Sequence, residues 1–154
     1  MRIATMILSI LCMLGGAGLG ILSTDQGFGD NAKKYAETYE TAKKALGEDN
    51  ELTKKAGEIV SGYKKSSIAG ALIALLSIAG VVLMFLKKEK PLTMAAGAAV
   101  LVTVAFIALS PSFDTGSSGP APPRTQVMIF GIPGTLAVIF ALLSEKARAK
   151  KAKA

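Results

Sequence analysis

Few side chains in this chain have the type and spacing that chemistry requires. The single thiol, Cys12, lies in an apolar run with no base beside it. Glu48, Asp49 and Glu51 are clustered but do not follow the spaced oxygen ligands of a calcium loop. There is no His, and no Ser stands beside a group fit to deprotonate it, so nucleophilic and general acid–base catalysis both lack a partner. Metal ligation needs clustered His, Cys or carboxylates, and no phosphate-binding Gly loop follows a strand. The sequence therefore predicts no catalytic residue, no metal site and no cofactor, and the expectation is a protein that is not an enzyme.

What remains is a set of lysines and tyrosines in one hydrophilic segment. Lys33-Lys34 and Lys43-Lys44 are separated by eight residues, and so are Lys54-Lys55 and Lys64-Lys65. A ten-residue step is about three helical turns, so each helix carries both of its lysine pairs on one face. These charges solvate the outside of a helical hairpin, or dock on lipid headgroups or an acidic partner. A turn near Asp49 sets Tyr35 opposite Gly62 and Tyr63, and Tyr39 near Glu58 and Ile59. Tyr35, Tyr39 and Tyr63 are thus expected to hold the hairpin together or to contact a partner.

The elements that carry these residues are set by where charge is missing. Ile3–Leu22, Ile68–Leu86, Leu92–Leu109 and Val127–Leu143 contain no Asp, Glu, Lys or Arg, and each is close to the length of helix that crosses ~30 Å of hydrocarbon. The predicted fold is an all-α integral membrane protein with four transmembrane helices and an outward-facing helical hairpin between the first and second. The segments are helix 1 over 1–22, a periplasmic hairpin over 23–67, helix 2 over 68–86, a cytoplasmic loop over 87–91, helix 3 over 92–109, a Pro/Gly/Ser-rich outward loop over 110–126, helix 4 over 127–143 and a basic tail over 144–154. Arg2, followed by an apolar run ending in Gly18 and Gly20, also fits a cleavable signal peptide. The run continues to Leu22, which favours an uncleaved helix.

The net charge of +7 does not indicate nucleic acid. Segment 23–67 holds eight Lys and eight Asp or Glu, which cancel. The surplus sits on Arg2, on Lys87–Lys90 and on the tail, all on one side of a four-span topology. The positive-inside rule makes that side cytoplasmic. Compact loops, Ala/Gly-rich spans and a single Cys suit a bacterial cytoplasmic (inner) membrane. Lys64, Lys65, Lys87, Lys88, Lys90, Arg148, Lys150 and Lys151 are expected at lipid headgroups.

Local signals fill in the rest. Asp30 or Asn31 is a candidate cap for the first hairpin helix, Gly47 for its end, and Asn50 for the start of the second. Ser23–Gly29 reads as a linker. The second hairpin helix is free to run on to Leu86, with a bend near Gly62. Lys33–Glu37, Glu40–Lys44 and Lys54–Glu58 are spaced for ion pairs. Pro91 suits the first turn of a helix, and Pro133 kinks the fourth span.

The strongest pattern is small residues at four-residue spacing, which lets helix backbones approach closely in lipid. It joins Cys12, Gly16 and Gly20, then Ser66, Gly70 and Ala74, then Thr93 and Gly97, then Gly131 and Thr135. The layout of a large first outward loop and a short second one resembles claudin-like tetraspan proteins in topology alone. The first loop has neither the Trp nor the paired Cys of that group, so no function is carried over. The expected function is a non-catalytic accessory subunit of a bacterial membrane complex, with membrane lipids and other membrane-protein subunits as partners. The alternative is a homo-oligomeric channel or transport component with a polar seam of Ser77, Thr93 and Thr103.

Overall fold

A computed structural model of the chain describes residues 2–113 and 120–152. The middle of the 110–126 loop, with Asp114, and the last two residues of the basic tail lie outside the described residues. The described residues form five helices and no strand: α1 Arg2–Phe28, α2 Asp30–Leu46, α3 Glu51–Phe85, α4 Glu89–Leu109 and α5 Pro123–Lys151. Four helices are long and apolar enough to cross a membrane, with α1 and α2 forming one such stretch across Gly29.

Residues 23–28 do not form the expected linker. The Ser23 and Thr24 hydroxyls donate to the carbonyls of Gly20 and Ile21, so they fold back on their own helix and α1 continues to Phe28. The only interruption is Gly29, whose N–H still donates to Asp25 O at 2.8 Å. Gly29, not Asp30 or Asn31, is the N-cap of α2. Asp30 sits in the first turn and pairs with Lys33 at 2.8 Å, and Asn31 donates to Asp25.

The hairpin turn follows the sequence closely. Gly47 closes α2 at φ 84°, with its N–H on Lys43 O, a left-handed conformation that glycine adopts without steric cost. Asn50 caps α3 by accepting from Leu52 N at 2.9 Å. From there α3 runs for 35 residues without a break. Gly62 is placed by packing: a Cβ there would lie 2.8 Å from Pro111 Cγ and 2.9 Å from Pro123 Cγ. The expected i,i+4 ion pairs give way to Lys55–Glu51, Lys43–Glu48 and Lys54–Asp49, because the acidic turn stands closer to these lysines.

Between α3 and α4 the chain reverses over Leu86–Lys88. Lys87 N–H donates to Met84 O and Lys88 N–H to Leu83 O, the pairing that ends helices with a left-handed residue. That residue is Lys87, at φ 58°, where a Cβ costs roughly 1–2 kcal/mol.

Within the bundle, α3 and α5 run parallel and touch, and each also packs against both α1 and α4. Among the described residues no Cα of α1 comes within 8 Å of a Cα of α4. The cross-section is a rhombus with α3 and α5 on its short diagonal. Buried positions recur every seven residues: Ser9, Gly16 and Ser23 in α1, Tyr63, Gly70, Ser77 and Met84 in α3, and Val127, Gly134 and Ala141 in α5. A seven-residue recurrence keeps one seam facing its neighbour over a long distance. Leu92, Ala96, Ala99 and Thr103 form the buried line of α4. Around this core, Leu11, Leu14, Leu75, Met94, Leu101 and Ile132 are among many large apolar side chains that face outward.

Two substitutions separate buried from open glycine. Gly20→Leu is expected to cost at least about 1–3 kcal/mol in detergent unfolding, because its added Cβ would lie 2.6 Å from Gly70 O. Gly97→Leu should stay within about 0.5 kcal/mol of the parent, since nothing lies within 4 Å of a Cβ there. Equal losses in the two variants would show that the helices are not arranged this way.

Candidate functional site

The small residues fall into two groups. Gly16 meets Gly134 backbone to backbone, and Gly20 meets Gly70, so α1 touches α5 and α3 with no side chain between them. Ala74 is buried, and Gly131 lies against the Thr103 methyl, which a Cβ would meet at 3.0 Å. The Thr103 and Thr135 hydroxyls stand 2.8 Å apart, and Thr135 also donates to Ala99 O at 3.3 Å. These residues are used up inside the chain. Cys12 is only half-buried, because the buried line of α1 follows Ser9, Gly16, Gly20, Ser23 and Gly27 and leaves Cys12 at its flank. Gly97 is different again: it is exposed with Thr93 on the outer face of α4 and contacts no other helix. Its four-residue spacing from Thr93 resembles the other stripes, but the buried line of α4 is displaced around the helix.

Tyr35, Tyr39 and Tyr63 hold the hairpin. Tyr35 and Tyr63 stack with ring centroids 5.1 Å apart and planes 11° from parallel. Tyr63 is 2% exposed and takes the edge of Phe113 at 6.2 Å. Tyr39 lies over Gly57, where a Cβ would approach its ring to 3.1 Å. Burial, with the neighbouring Tyr35 hydroxyl second, pushes the Tyr63 phenol up to about 12.

Each end of the bundle is closed by a polar group that the small-residue pattern did not reveal. At the hairpin end, Gln126 Nε2 donates to Gln26 Oε1 and to Ala121 O, and Ser66 donates to Gln126 Oε1 at 3.1 Å. Beside them Ser67 donates to Ser23 O at 2.6 Å. The signal for this network is positional: Ser23, Ser66, Ser67 and Gln126 lie just outside the uncharged stretches. At the other end, Glu145 is 1% exposed and accepts a two-pronged bond from Arg148. Arg148 is thereby engaged within the chain and is not a free headgroup contact. Lys64, Lys65, Lys87, Lys88, Lys90, Lys150 and Lys151 are exposed.

A cleft of about 640 Å³ opens between the hairpin and the nearby ends of α4 and α5. Tyr39, Glu58, Ser61, Lys65, Ser110 and Arg124 line it. Arg124 Nε donates to Ser110 O at 3.1 Å. At the rim, the Lys43 ammonium bonds to Glu48 and holds its carboxyl below the usual range. Comparisons with protein-family models, curated proteins and solved structures find no match for the chain.

The Glu145–Arg148 pair gives a direct test. Arg148→Met leaves Glu145 as a buried charge and is expected to lower stability in detergent unfolding. The loss should fall short of that for a fully buried pair, because the Arg148 side chain keeps 30% of its exposure. Adding Glu145→Gln to Arg148→Met should recover part of it. A double variant no better than the single one would show that the pair does not close this end.

Proposed function

We propose that this chain is a non-catalytic accessory subunit of a membrane protein complex, embedded in a bacterial cytoplasmic membrane with both termini inside. The supporting observation is the asymmetry between α1 and α4. Both are outer helices, yet the small residues of α1 are filled by α3 and α5, while Thr93 and Gly97 of α4 are exposed, the Thr93 hydroxyl bonded back to Glu89 O and nothing within 4 Å of a Cβ at Gly97. A close-approach groove with large apolar neighbours such as Met94 and Leu101 fits a partner helix, since close packing is what drives helix association in lipid. The girdle of exposed large apolar side chains supports the membrane placement, because soluble monomers rarely expose apolar patches beyond a few hundred Å². The charge surplus on Lys87–Lys90 and the tail supports the sidedness.

The channel reading is weaker. Its three seam residues do not share a face: Ser77 and Thr103 are buried and bonded within the chain, while Thr93 lies on the outside.

Extraction in mild detergent, followed by native mass spectrometry, is expected to yield a stoichiometric assembly with different membrane proteins. Gly97→Trp should abolish co-purification while leaving the subunit folded by circular dichroism. A ring of identical copies would overturn the reading, and so would full co-purification of the Trp variant.

A further inference from the structure

The cleft under the hairpin carries a second inference, which rests on the membrane placement proposed above. We propose that it binds the headgroup of one phospholipid bearing a primary amine, with the phosphate at Lys65 and Arg124 and the amine at Glu58. A row of residues on α3 matches such a headgroup. Glu58, Ser61, Lys65 and Ile68 are spaced by three or four residues and so share one face. Glu58 and Lys65 are two turns, about 10 Å, apart along the axis, a gap that two long side chains narrow. Read from the apolar stretch outward, the row runs hydrocarbon, cation, hydroxyl, carboxylate. A phospholipid presents acyl chain, phosphate and amine in the same order.

The shape agrees with the row. A second cleft of about 330 Å³ is continuous with the first, sharing Tyr39, Gly57, Ser61 and Lys65, and extends along α3 to Lys64 and Ile68. Ile68 is 43% exposed at the start of the uncharged stretch, where an acyl chain would pass. Gly57 lies under the Tyr39 ring in this groove, where a Cβ would approach the ring to 3.1 Å.

The charges agree as well. Lys65 and Glu58 form no ion pair among the described residues, although Glu58 lies near enough to Lys55 to act on it through space. Arg124 spends one N–H on Ser110 O and retains the rest of its guanidinium. An acidic peptide or a simple anion fits poorly, because Glu48 and Glu58 share the cleft with the cations. A zwitterion satisfies both signs, and a primary amine donates hydrogen bonds to Glu58 that a quaternary one cannot.

The full chain in detergent micelles, titrated with phosphatidylethanolamine, phosphatidylglycerol and phosphatidylcholine of equal acyl length, gives the test by native mass spectrometry. One phosphatidylethanolamine per chain should be retained at about ten-fold lower concentration than the other two. Lys65→Gln should weaken its retention about ten-fold, and Glu58→Gln should erase the preference over phosphatidylcholine. Lys34→Gln, on the far side of the hairpin, should change neither, and circular dichroism checks that each variant is folded. Equal retention of all three lipids, or retention indifferent to both variants, would overturn the proposal. Binding of soluble glycerophosphoethanolamine as tight as that of the lipid would overturn it too, by making the ligand a water-soluble ester. Failure of the membrane placement registers separately, as chain that does not float with vesicles.

Discussion

The bundle depends on backbone meeting backbone where α1 crosses its neighbours. Gly16 against Gly134 and Gly20 against Gly70 bring α1 closer to α5 and α3 than any side chain allows. Close approach multiplies dispersion contacts, each worth only about 0.1–0.2 kcal/mol but numerous along a seam. In the membrane setting proposed for this chain, helix association brings no hydrophobic gain, and this contact is what would hold α1 in place. The seven-residue recurrence follows from it, because a seam tight at one crossing stays in register only if small residues return at the same angular position. Ser9 above and Ser23 and Gly27 below Gly16 and Gly20 are those residues.

A dry seam must also end somewhere, and its ends are where polar groups appear. Backbone carbonyls left over by helix geometry, and the side chains next to water, need partners. Gln126 with Gln26 and Ser66 supplies them at the hairpin end, and Glu145 with Arg148 at the other. In both groups the central side chains, Gln126 and Glu145, meet their partners within the chain. The cleft between the hairpin and α4 is different: Lys65 and Glu58 line it and form no ion pair among the described residues.

The two outer helices therefore differ in role. α1 is committed to the bundle along its whole buried line, while α4 is held by Leu92, Ala96, Ala99 and Thr103 and leaves Thr93 and Gly97 free. The hairpin repeats the contrast on a smaller scale. The Tyr35–Tyr63 stack ties it to the bundle, and its lysine-rich faces remain in solvent.

The sequence by itself determined the helical class, the four long apolar segments, the Gly47 and Asn50 boundaries and the pairing of Tyr35 with Tyr63. These follow from local rules: charge cannot be spared in a long apolar stretch, glycine is cheap at positive φ, and a hairpin of known turn fixes which residues oppose each other. It also marked Gly16, Gly20 and Gly70 as close-approach residues. What it could not decide was which stripe is occupied. Thr93 and Gly97 match the spacing of the other small pairs, and Cys12 that of Gly16 and Gly20, yet α4 presents its Ala96 line inward and α1 its Ser9 line. A four-residue repeat fixes a face of one helix but not the neighbour it meets. The same holds for the polar ends of α5: Gln126 meets Gln26, a hundred positions away, and Ser144, beside Glu145, donates to Arg2 O at the start of α1. Only the tertiary arrangement, by bringing α1 antiparallel to α5, turned two ordinary polar side chains at helix ends into the closures of a packed core.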